Sequence, residues 1–308
     1  MNSSWQAEPV TSIPFRSRLL RTCAGLLAVA LLSGCASLPP VVADAPAPAP
    51  SMPTPASPPP PSSTPTPSEA SPSPTAPSPT ATPSAPSEAR PLAGRVIVID
   101  PGHNRNTNGR FIRHKVPAGN GKTKPCNSTG TATNANYAEH AYNWAQANAL
   151  AAELRGRGAT VRLTRSDDRG NGPCVNTRAS LANELAADLL LSIHADGSYR
   201  KGARGFHVIV STSMAGGDRI EQESRRLAGA LRAALPKEAG VPRSTYIGKG
   251  TAMSPRSDIA TLNFAKVPAV MMEMGNMRNA KDAALLRSSA WRARAATAMA
   301  DAISAYLG

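Results

Sequence analysis

The sequence predicts an α/β fold: a three-layer single domain with a mostly parallel central sheet flanked by helices, preceded by a disordered linker. Three observations predict it. Short apolar runs bounded by turn residues alternate with longer helical patterns along residues 92–308, an alternation that builds parallel sheets. The runs are nearly uninterrupted by polar residues, as buried strands are. Ahead of them, residues 39–91 carry 20 of the 30 prolines among Ser, Thr and Ala, and such a tract buries too little apolar surface to offset the entropy of ordering it.

The elements follow in order. Arg95–Asp100 (RVIVID), opened by Gly94 and closed by Pro101-Gly102, is the first strand. Tyr137–Arg157 has helical periodicity, and Gly156 and Gly158 end it. Thr160–Arg165, Leu189–His194, Gly205–Ser211 and Ala269–Glu273 are further strands, with helical patterns over Thr177–Ala187, Arg219–Leu235 and Asn279–Leu307. Between the first strand and first helix lies Asn104–Asn136, a loop of unusual length unless it is functional or covalently pinned.

The N-terminus has the order of an export signal. Arg16, Arg18 and Arg21 precede the apolar run Cys23–Leu32, which is too short to span a bilayer requiring about 20 helical residues. Leu32-Ser33-Gly34-Cys35 resembles the lipobox of bacterial lipoproteins. That resemblance implies a lipidated Cys35 and a membrane-anchored protein facing the cell wall, or a secreted one if Cys35 is not lipidated. The expected organisation is a signal peptide over 1–35, a Pro/Ser/Thr/Ala linker over 36–91 and a catalytic domain over 92–308. Fully extended, some 50 linker residues reach on the order of 150 Å.

The net charge of +14 arises in the domain, since only three of the 34 basic residues precede Arg90. A basic surface favours polyanions. Export argues against nucleic acid, no nucleic-acid motif occurs, and wall polymers bearing carboxylate and phosphate fit better. No wall-binding repeat is present, and a monomer is expected.

In open parallel sheets ligands gather beyond the carboxyl ends of the strands. His103 follows the first strand, His194 ends another and Glu273 ends a third, so the three converge on one rim. Glu139 opens the helix that follows the long loop. Taken singly, each has a plain structural explanation: a loop histidine, a hydrogen-bonded buried histidine, an acid favoured at a helix N-terminus. Glu273 is the exception, because a carboxylate after an apolar strand is costly unless paired or functional. Catalytic zinc takes three protein ligands and leaves one position for water, while a separate carboxylate moves the proton.

The segments IVIDPGHN, AEHAYNWAQANALAAELRGRGATVRLTR, RASLANELAADLLLSIHADG and DIATLNFAKVPAVMMEMGN to KDAALL together resemble the zinc-dependent N-acetylmuramoyl-L-alanine amidase family of the Amidase_3 type, in the family's order. The resemblance implies Zn2+ held by His103, Glu139 and His194, with Glu273 as the catalytic carboxylate. It favours Glu139 over the adjacent His140. It further implies hydrolysis of peptidoglycan at the amide between N-acetylmuramic acid and L-alanine. Two rival readings are a zinc peptidase of the stem peptide and a tethered wall-binding protein without catalysis. His114 is expected in a loop and His207 on a strand.

Cys126 and Cys174 lie in Pro-, Gly- and Asn-rich segments (KPCNSTG and NGPCVN), and export places them in oxidising surroundings. A disulfide between them is expected to tie the long loop to the segment before Thr177. No CxxC spacing supports zinc binding there, and both segments are similar to the actinobacterial branch of the family.

Overall fold

Side-chain alternation within each apolar run sorts the core into two faces. In β1 (Val96–Pro101), Ile97 and Ile99 join one buried cluster and Val98 the other. In β5 (Leu189–Asp196), Leu189 and Leu191 are parted from Leu190 in the same way, as the period of two in a strand requires. Each fully buried Leu or Ile contributes about 1.5–3 kcal/mol. A sheet apolar on both faces needs a helical layer on each.

The computed structural model describes residues 90–106 and 108–308. The signal segment, Cys35 and all but the last two residues of the 36–91 linker lie outside the described residues. After β1 come α1 (Gly109–Arg113), β2 (Lys115–Pro117), β3 (Thr123–Pro125), α2 (Glu139–Gly156), β4 (Thr160–Leu163), α3 (Arg178–Glu184) and β5. Then follow β6 (His207–Ser211), α4 (Gly217–Glu238), a 3-10 turn at Gly248–Gly250, β7 (Met253–Arg256), α5 (Ala260–Asn263), β8 (Ala269–Asn276), α6 (Ala280–Arg287) and α7 (Ser289–Leu307).

The sheet order is β4-β1-β5-β8-β6-β7. β4, β1, β5 and β8 are parallel, whereas β6 pairs antiparallel with β8 and carries β7 with it. The reversal follows from connection length. The link Gly197–Phe206 is shorter than the dozen or more residues of a parallel crossover. Helices α2, α4 and α7 cover the face of Ile97 and Leu191, while α3 and α5 cover that of Val98 and Leu190. This is the expected three-layer, mostly parallel architecture.

Several expectations require correction in detail. The pattern over Asn279–Leu307 is two helices, because Ser288 takes an extended backbone (φ −77°, ψ 119°) and its hydroxyl accepts from Trp291 N. Asn279 caps the first of the pair through the amides of Lys281 and Asp282. The long loop has structure of its own, the helix α1 and the antiparallel hairpin β2–β3. β7 carries Pro255 and no apolar run, and it stands at the sheet edge where a missing N–H is tolerated.

One buried ion pair fixes the turn after β1. Asp100 is fully buried and receives Arg178 Nη1 at 2.6 Å, Ser192 Oγ at 2.6 Å and Thr164 Oγ1 at 2.5 Å. Arg178 also donates to the carbonyls of Pro101 and His103 and to Asn104 Oδ1. Burial alone raises the Asp100 carboxyl; the guanidinium and the two hydroxyls outweigh it and hold the group at about 2. Unfolded, the same group titrates near about 3.9, so it contributes about 2 kcal/mol that is present above that pH and lost as pH falls toward 2. The stability gap between the wild type and Asp100→Asn, measured by denaturant unfolding, is therefore expected to shrink between about pH 4 and pH 2; a constant gap there contradicts the pairing. Arg178→Ala, which strands the carboxylate, is expected to cost about 3–5 kcal/mol at neutral pH.

Candidate metal centre

His103 sits two residues past the end of β1 with a positive φ of 57°, a conformation rare for a side-chain-bearing residue and held here by the Arg178 bond to its carbonyl. Its Nδ1 donates to the Ser128 carbonyl at 3.0 Å. This leaves Nε2 facing inward, 3.1 Å from Glu139 Oε1.

Glu139 is the first residue of α2 and is 4 % exposed. It and Thr131 lock each other: Glu139 N donates to the Thr131 carbonyl, and Thr131 N donates to Glu139 Oε2, both at 2.9 Å. Ala195 N reaches Oε1 at 3.2 Å. His194, on β5, places Nδ1 2.9 Å from the same Oε1, and its ring meets that of His103 edge to face at 4.7 Å.

Two glycines make this convergence possible. A Cβ on Gly102 would stand 2.0 Å from His194 Nε2, so the imidazole lies directly on the turn backbone. A Cβ on Gly130, where φ is +71°, would come within 2.7 Å of Glu139 Oε2 and 2.9 Å of His103 Cδ2.

The structure thus brings His103, Glu139 and His194 together, with one ligand atom from each within 4.8 Å of the others. Two imidazole nitrogens and one carboxylate oxygen suit a catalytic zinc ion with an open position, and the Ser128 carbonyl supplies the outer contact that orients a ligating histidine. The donor set therefore fits a divalent metal. Burial lowers the His103 imidazole, but the Glu139 carboxylate more than offsets it and holds the group above its usual value. Burial raises the Glu139 carboxyl, but the two histidines more than offset this and keep it well below the ordinary carboxylate range. Burial also keeps the His194 imidazole below its usual value.

Glu273 stands beside this group. On β8 it is in register with His194 of β5 on one side and His207 of β6 on the other. Burial pushes its carboxyl well above the ordinary range, the negative charges of Glu139 and Asp196 push the same way, and Arg256 opposes them. Its Oε2 is buried with no hydrogen-bond partner in the protein. Cavities open on both sides of the cluster, each lined by His103, His194 and Glu273. One, of about 240 Å³, has largely apolar walls including Val175, Ile259 and Met271. The other, of about 300 Å³, is open and polar, bordered by Thr131, Asp196 and Gly197.

The remaining candidates lie elsewhere. His140 turns away to Asp168, 2.9 Å from its carboxylate, which Arg165 also pairs. His207 is a buried strand residue whose imidazole burial holds at about 4. His114 ends α1 near Cys174, and the sulfurs of Cys126 and Cys174 are joined in a disulfide. Pro125 and Asn127, flanking one cysteine, and Val175, beside the other, line the apolar cavity, so the bridge backs that wall. Ser128, Thr131 and Arg178 went unrecognised as orienting residues. Ser128 and Thr131 act mainly through backbone groups that carry no residue-type signal.

A family described as N-acetylmuramoyl-L-alanine amidase matches residues 97–305. An N-acetylmuramoyl-L-alanine amidase of Mycobacterium tuberculosis is 38% identical over 228 residues, spanning 73% of this chain and 91% of that one. A probable cell wall amidase of Staphylococcus aureus is 28% identical over 220 residues, 71% of this chain and 60% of its own. The apo crystal structure of an N-acetylmuramyl-L-alanine amidase from Mycobacterium abscessus superposes with a TM-score of 0.66 at 39% identity, covering 70% of this chain and 100% of that one.

Gly102→Ala is expected to drive the His194 ring off the turn and weaken binding of a divalent metal by at least about tenfold. Equilibrium metal titration with a thermal-unfolding control checks this; wild-type affinity contradicts the geometry.

Proposed function

The chain belongs to the N-acetylmuramoyl-L-alanine amidase family of hydrolases, and on that footing we propose that it cleaves peptidoglycan with a Zn2+ ion held by His103, Glu139 and His194. The bond cut is the amide joining the lactyl carbonyl of N-acetylmuramic acid to the L-alanine of the stem peptide. One observation carries the reading. A fourth group, Glu273, lies in register beside His194, with its Oε2 enclosed and free of any partner, in the cleft onto which three metal-type donors converge.

Bound zinc polarises the carbonyl and brings the acidity of water near neutrality. The protein's own residues supply positioning and the proton path. His103, oriented by Ser128, and Glu139, locked to Thr131, hold the site rigid before substrate arrives. Glu273 takes a proton from the attacking water and returns it to the alanine nitrogen as the C–N bond breaks. Its desolvated surroundings suit the second of these steps, since burial pushes the carboxyl well above the ordinary range and strengthens its hold on the proton it later donates. The products are the lactyl carboxylate on the glycan and a peptide with a free N-terminal alanine.

The organisation extends the reading. Signal residues 1–35, a spacer over 36–91 and lipidation at Cys35 would tether the 92–308 domain, acting as a monomer, to the membrane while it works on the wall. The wall-directed relatives support an exported protein.

Mass spectrometry of digested peptidoglycan is expected to find stem peptides beginning with free L-alanine; ends within the stem would instead mean a peptidase. Glu273→Gln is expected to keep its metal and lose about 10²–10⁴-fold in turnover, whereas His194→Ala loses both; full turnover by the first variant removes Glu273 from the chemistry. Cys35→Ala is expected to move the protein from the membrane fraction to the medium, and an unchanged distribution rules out the anchor.

A further inference from the structure

Beyond the polar end of the cleft the chain exposes an aromatic ring. Tyr199 is 81% exposed, one of two large hydrophobic side chains called exposed among the described residues. It is not loose. The guanidinium of Arg278 lies 4.9 Å from its ring centroid, a cation–π contact that covers one face of the ring. Arg278 reaches Asn134 Oδ1 at 3.4 Å, and its Nε is buried without a partner.

The loop carrying Tyr199 is fastened at its base. Buried Asn276 accepts from Ser198 N and donates to the carbonyls of Ser198 and Ala203. Buried Asp282 pairs with Arg204 and accepts from Gly205 N. A rigid loop thus presents the free face of the ring to solvent, beside a cavity of about 210 Å³ that Asn134, Arg200, Lys201 and Arg278 also line.

This cavity adjoins the cleft through neighbouring residues. Gly197 borders the polar side of the metal cluster and Ser198 borders the Tyr199 cavity. Asp196 and Asn276, one from each, are register partners on β5 and β8. An aromatic face flanked by hydrogen-bonding side chains matches a pyranose, whose axial C–H bonds stack on the ring while its hydroxyl and acetamido groups meet polar partners. A polymeric glycan must run past the cleaved muramoyl residue, and the open polar side of the cleft gives it the room that the walled apolar side does not.

We propose that Tyr199 and Arg278 form a glycan-binding subsite, taking a sugar ring of the strand beyond the muramoyl residue under attack. The assignment of this sugar to the same strand rests on the amidase reading; the subsite itself is testable without catalysis.

The first arm measures binding of the full chain to peptide-free glycan strands by sedimentation. Tyr199→Ser and Arg278→Gln are expected to weaken it about fivefold, the size of one stacking contact, and Tyr199→Phe to restore it. The second arm compares KM on uncrosslinked strands with KM on a single N-acetylmuramoyl peptide. The increase in the serine variant is expected to be several times larger on strands. Thermal unfolding should stay near wild type, since the ring is exposed. Wild-type strand binding by Tyr199→Ser overturns the subsite, as does an equal KM increase on both substrates. Loss of binding on replacing Arg200 and Lys201 by Gln, with Tyr199→Ser unaffected, points to anionic wall polymers instead and also overturns it. If the wild type releases no peptide beginning with L-alanine, the amidase reading fails, and the binding arm still decides the subsite.

Discussion

The buried pair of Asp100 and Arg178 is the constraint on which the site depends. A buried ion pair adds little net stability compared with an apolar filling, because desolvating both charges offsets most of their attraction. Its effect here is geometric. Arg178 donates to four acceptors between Asp100 and Asn104, and Asn143 holds the Gly102 carbonyl between them. His103 keeps its left-handed backbone, and Gly102 stays under the His194 ring. Without that anchor the turn that carries His103 and underlies the His194 ring is free to move.

Two carboxyl groups on the same rim are driven in opposite directions by their neighbours. Glu139 is stabilised as an anion by two histidines, two backbone amides and the N-terminus of α2. Glu273, partly buried with its Oε2 enclosed, meets negative charge and no direct donor, so its carboxyl is pushed up instead. Splitting like groups in this way is how a single pocket obtains both a fixed ligand and a mobile proton carrier.

The sequence made the layer order legible because its strands are short, apolar and punctuated, and His103, His194 and Glu273 each fall at a strand end. Glu139 stood out as a candidate ligand only through resemblance, since its place at the start of a helix has an ordinary electrostatic explanation. Its neighbour His140, the more familiar metal ligand, is turned about one residue of helix rotation away, onto Asp168. The hairpin in the long loop stayed hidden because Lys115–Pro117 and Thr123–Pro125 lack apolar alternation. The break at Ser288 was obscured by alanine-rich flanks that suit helix on both sides, although the capping hydroxyl is a residue-type signal the sequence does carry.

The Cys126–Cys174 bridge carries a consequence for how the molecule matures. It spans 48 residues and stands behind one side of the catalytic groove, yet thiols stay reduced inside a cytosol. A polypeptide made in such a compartment therefore leaves the ribosome with that side unfastened, and completion waits for an oxidant. Material produced in a reducing host and never oxidised differs from the natural product at the groove itself, while the packed layers beneath need no such step.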